Sequence, residues 1–95
     1  MIVEIQCLPS PVGDGTTPYA HVDAAIAVIA ASGCHYEVGA LGTTFEAGDD
    51  EAWSVARRAH EAALASGADS VVSVVKLYSS TSPGSAMDTL VAPFR

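Results

Sequence analysis

Glu4 and Gln6 near the start of the chain, with Thr43, Thr44 and Glu46 inside the stretch YEVGALGTTFE (36–46), are the residues best equipped for chemistry. The stretch reads as two short strands around a glycine-marked turn. It carries carboxylate and hydroxyl groups where a purely structural strand would carry more Val or Ile. Nothing in it resembles an activated nucleophile or a metal cage. The chemistry it suits is recognition, the hydrogen bonding of a ligand that offers an amino group or ring nitrogens.

The remaining reactive residues do not converge. His21 begins a helix, His35 begins an edge strand, and His60 falls on the outer face of a second helix, so no acid–base pair is assembled. Cys7 and Cys34 stand alone in apolar strand patterns and read as reduced, buried thiols. Asp49, Asp50 and Glu51 are explained as the acidic first turn of a helix, and no His, Cys or carboxylate pair has metal-ligand spacing. Four basic residues against eleven acidic ones give a net charge of −7. That balance lacks the basic surface nucleic acid requires, is unfavourable for an anionic membrane, and is compatible with a cationic ligand.

Alternation places Val3, Ile5 and Cys7 on one face of a first strand (2–8), with Glu4 and Gln6 on the other and Pro9 closing it. Thr17 and Pro18 predict a helix start, and Val22, Ala25, Ile26 and Ile29 follow at helical spacing up to Gly33. Strands at 34–40 and 43–47 flank a Leu41–Gly42 turn and are expected to pair antiparallel. A second helix begins at Asp49 and presents Ala52, Val55, Ala56, Ala59, Ala62 and Ala63 as its apolar stripe. Gly67 ends it, a fourth strand spans 70–78, and SAMDTLV (85–91) allows a short terminal helix. The order β-α-β-β-α-β predicts a single α+β domain (1–95), with four antiparallel strands and both helices on one face. Right-handed crossovers put the first and third strands in the middle.

On that plan Glu4, Gln6, Thr44 and Glu46 share an open sheet face, and Lys76 facing outward adds Val72, Val74 and Tyr78. Several apolar residues together on an open face favour packing against a second copy. At 95 residues, with 49% hydrophobic but only 6% aromatic content, a homo-oligomer would also supply burial that alanine-rich elements lack. The alternative for Glu46 is that it pairs with Lys76 or backbone amides and binds nothing. Trp53, Arg57, His60 and Leu64 form a further face of the second helix, read either as a protein contact or as partly covered side chains. Met1 leads directly into a strand and no apolar run approaches the roughly 20 residues of a membrane span, so the expected compartment is the cytoplasm.

The chain resembles the thiamine-binding protein family over most of residues 2–78. The resemblance rests on the opening strand ending at Pro9, the Tyr36-Glu37 pair, Gly42-Thr43 followed by Glu46, Ala59-His60-Glu61-Ala62, the Ser66–Asp69 corner and Lys76. It implies a ferredoxin-like fold, pairing through open sheet faces, dimers assembled into tetramers, and binding of thiamine or hydroxymethylpyrimidine without catalysis or cofactor. Thr43 and Glu46 lie on the family's hairpin motif with Thr44 between them; Glu4, Gln6 and Tyr36 are added from strand phase. The SSTSPGSAMDT tail lacks the charged stretch often seen in the family. Rival readings are a ligand-free regulatory or assembly module, and a small cofactor-free enzyme of the same fold.

Overall fold

The computed structural model describes residues 1–84 and 86–95. Its elements are β1 (Ile2–Ser10), α1 (Ala20–Ala31), β2 (His35–Val38), β3 (Thr43–Glu46), α2 (Asp49–Ala65) and β4 (Ser70–Tyr78). A terminal helix, α3 (Met87–Val91), runs into a 3₁₀ turn at Ala92–Phe94. Ser85, the first residue of the expected terminal helix, lies outside the described residues. The sheet order is β2-β3-β1-β4 with every pairing antiparallel, a ferredoxin-like α+β sandwich with β1 and β3 central as the crossovers require.

Register decides which side chains the helices cover. Val3 opposes Phe45 and Ile5 opposes Thr43, and all four are buried on the helix side. Ala25 and Ile29 of α1, with Ala52, Val55, Ala59 and Ala63 of α2, complete the core. Five buried residues of α2 are four alanines and a valine, so this helix lies close to both the sheet and α1.

Two of the boundaries that differ from expectation do so for local reasons. β1 continues through Pro9 to Ser10, paired with β4 throughout, while β3 pairs only as far as Ile5. The Ser10 carbonyl accepts from Asp69 N–H on the β4 side, so Pro9, one residue earlier, turns its missing donor toward the side β3 has already left. Helix α1 begins at Ala20 rather than at Thr17-Pro18. Asp14 accepts from the backbone N–H groups of Thr16 and Thr17, at 2.8 and 2.6 Å, and this turn occupies the residues expected to start the helix.

Two His–Ser contacts fasten the helices. His21, buried in the first turn of α1, lies 2.6 Å from Ser66 beyond the end of α2. The Ser66 hydroxyl donates to the Ala63 carbonyl, which leaves the imidazole Nδ1–H as donor to Ser66. Gly67 follows at φ +122°, and a Cβ there would also meet His21 Cε1 at 3.3 Å. His60 turns toward the sheet and meets Ser73 of β4 at 2.6 Å, leaving Trp53, Arg57 and Leu64 as the exposed part of the outer α2 face.

Candidate functional site

The face away from α1 and α2 is built by alternation. Ile2, Glu4, Gln6 and Leu8 of β1 share it with Thr44 and Glu46 of β3, and with Val72, Val74, Lys76 and Tyr78 of β4. On β2 it carries His35 and Glu37, opposite Glu46 and Thr44. This face is not wholly bare. The C-terminal segment lies across its β2–β3 half, where Met87 is buried, its N–H donates to Glu46 Oε2 (3.1 Å), and Asp88 meets His35 Nε2 (3.0 Å). At the far end Arg95 Nη1 stands 2.9 Å from Glu37 Oε1.

Between this segment and the turn at residues 39–42 opens a cleft of 430 Å³. Its polar side chains are Glu4, Glu37, Thr44 and Arg95; Leu41, Leu90 and Val91 supply apolar wall. Gly42 fits closely here: a Cβ would stand 3.0 Å from the Ile5 carbonyl oxygen and 3.4 Å from Glu4 Cγ, so a larger residue would need its neighbours to shift. The turn therefore sits directly against the central strand that presents Glu4.

The sequence-derived candidates separate into three groups. Glu4 and Thr44 are cross-strand partners and line the cleft together. Glu46 and Gln6 share their face but not the cleft lining. Glu46 accepts the Met87 amide, and Gln6 opposes Val74 toward the β4 side. Thr43 and Tyr36 lie on the helix side, opposite Ile5 and Phe45, with Thr43 buried and Tyr36 partly exposed. Glu37 and Arg95 were missed as candidates. The signal for Glu37 was the turn: Gly39 N–H donates to the Gly42 carbonyl (2.8 Å), which closes a four-residue connection and pairs Val38 with Thr43. That register puts Glu37, not Tyr36, beside Thr44.

The electrostatics are those of acids with internal cations. Glu4 Oε1 is 3.6 Å from Lys76 Nζ, and Glu37 is held by Arg95. The hydrogen bond that His35 donates to Asp88, and then the Asp88 charge, push the imidazole above the ordinary histidine value, with smaller contributions from Glu46 and Glu37. On the helix side, burial pushes the Cys7 thiol up and the Ser73 hydroxyl partly offsets this, so Cys7 is a poor nucleophile at neutral pH. Among the described residues no group of three or more His, Cys, Asp or Glu side chains is arranged to hold a metal ion. No described helix is long and apolar enough to cross a membrane.

Known proteins share this architecture along nearly its full length. A UPF0045 protein of Clostridium perfringens is 32% identical over 93 residues, covering 98% of this chain and 95% of its own. The structure of a domain of unknown function, DUF77, from Bacillus cereus superposes with a TM-score of 0.86 at 33% identity, over 99% of this chain and 88% of that one. A Thermotoga maritima structure, described as a candidate thiamine biosynthesis/salvage protein, gives a TM-score of 0.82 at 22% identity over 99% and 97% of the two chains, a likeness of fold. The model of the family described as thiamine-binding protein matches residues 3–94, and the chain belongs to that family.

Proposed function

We propose that this protein binds thiamine, or its hydroxymethylpyrimidine part, without altering it chemically, in the cleft between α3 and the turn at residues 39–42. The observation that carries this reading is the meeting of Glu4, Glu37 and Thr44 in one cleft of 430 Å³ with apolar walls. That volume falls within the roughly 300–1,000 Å³ typical of small-molecule sites. An aminopyrimidine presents an exocyclic amine beside a ring nitrogen. A carboxylate accepts from the amine while the Thr44 hydroxyl donates to the ring. The thiazolium cation of thiamine is favoured by the same acids. Another cavity, 240 Å³ between α1 and the hairpin, is lined by Gln6 and Thr43 but by no charged side chain, so it gives a cation no countercharge. Family membership supports the choice of ligand.

Calorimetric titration with thiamine tests the site. Charged hydrogen bonds of roughly 1.5–3 kcal/mol predict that Glu37→Gln and Glu4→Gln each weaken binding about tenfold or more. Isotherms identical to wild type in both variants would remove the cleft from consideration. The β4 half of the same face, where Leu8, Val72, Val74 and Tyr78 are exposed together, supports a second proposal: a further copy of this chain packs there and makes a homo-oligomer.

A further inference from the structure

We infer that Arg95 is an internal counter-ion, seated where the positive charge of a ligand would otherwise lie, and that a cationic ligand enters by displacing it. The inference rests on the cleft being the ligand site.

Three charged side chains line the cleft: Glu4, Glu37 and Arg95. Lys76 neutralises Glu4 from outside the lining, whereas Arg95 neutralises Glu37 from within it, at 2.9 Å. A cation that meets Glu37 must therefore take the place of the guanidinium. The exchange is cheap, because both partners of the pair are about half exposed and such pairs contribute little.

The segment that carries Arg95 is anchored unevenly. Its start is fixed by buried Met87, by the Met87 N–H on Glu46 and by Asp88 on His35. Its end is joined to the sheet through the Arg95–Glu37 pair, one residue beyond the 3₁₀ turn. Breaking that pair can lift the last turn while α3 stays docked. In this arrangement Arg95 sets the threshold for a cation and ignores a neutral ligand, which brings no charge to exchange. Arg95 is thus a specificity-determining residue that acts by competition.

The competition has a sign that a simple wall residue would not produce. Calorimetry at neutral pH on wild type, Arg95→Ala and Arg95→Lys, with thiamine as the cationic probe and hydroxymethylpyrimidine as the neutral one, reads it directly. Arg95→Ala is expected to tighten thiamine binding roughly two- to fivefold, the value of one exposed ion pair, and to leave the neutral pyrimidine unchanged. Arg95→Lys should stay near wild type for both. Thiamine binding to Arg95→Ala when wild type shows none would also support the inference. Equal or weaker binding by Arg95→Ala overturns it and leaves the ligand reading standing. So does equal tightening for both probes, which would mark Arg95 as a steric obstacle. No heat from thiamine with any of the three proteins overturns the ligand reading and the inference together. The Arg95 side chain is more than half exposed, so unchanged melting temperatures are expected and exclude misfolding as the cause.

Discussion

Thr43 and Thr44 are neighbours in sequence and strangers in space. Thr44 faces Glu4 in the cleft, while Thr43 faces Ile5 in the core. Replacing either hydroxyl by a methyl changes the molecule on one side of the sheet only. Thr44→Val should weaken thiamine roughly three- to tenfold, the value of one neutral hydrogen bond, and Thr43→Val should leave the affinity where it was. Parallel titrations of the two variants check this, and equal losses would place the ligand elsewhere. Period-two alternation made Glu4 and Thr44 legible as partners because both strands are continuous around them. The same alternation, followed through the turn, excludes Tyr36: a two-residue turn at Leu41–Gly42 and the observed four-residue connection, 39–42, both set it opposite an odd-numbered residue of β3, on the Phe45 face. What the turn length decides, and glycine-rich residues do not announce, is that Glu37 meets Thr44 rather than Glu46.

At the scale of elements, the six-part order and the strand centres were readable because each helix and strand carries its own periodicity and its own stop at Gly33 or Gly67. The docking of α3 was not readable. Its partners, His35 and Glu46, and Glu37, which meets Arg95 beyond the 3₁₀ turn, lie 41 or more residues earlier in the chain, and no local pattern encodes contacts of that reach. The His35–Asp88 contact gives this element a pH dependence. The imidazole is raised by its partner, so its contribution is fully present below the ordinary histidine value of 6.5 and is lost as pH rises through the raised one. Both groups are exposed, so the effect is on the position of α3 more than on global stability. The methyl resonances of Leu90 and Val91 should shift as the pH is raised through that range, and Asp88→Asn should abolish the shift. A titration that is the same in the variant would show that the latch does not govern α3.

For the whole molecule, the unanswered surface is the β4 half of the open face. If a second copy covers it, Val72→Lys combined with Val74→Glu should convert the assembly to single chains by light scattering, with secondary structure intact. Wild type that runs as a single chain would dismiss the pairing. A quieter consequence comes from the turn at residues 39–42, which contributes all four of its residues both to the cleft and to the apolar cavity beneath α1. The hairpin tip is a septum between two chambers on opposite sides of the sheet, pressed against the Ile5 carbonyl at its base. A guest in one chamber leans on the floor of the other. Occupancy of the polar chamber should therefore be audible in the Ile26 and Ile29 methyl signals, although neither side chain can touch the guest.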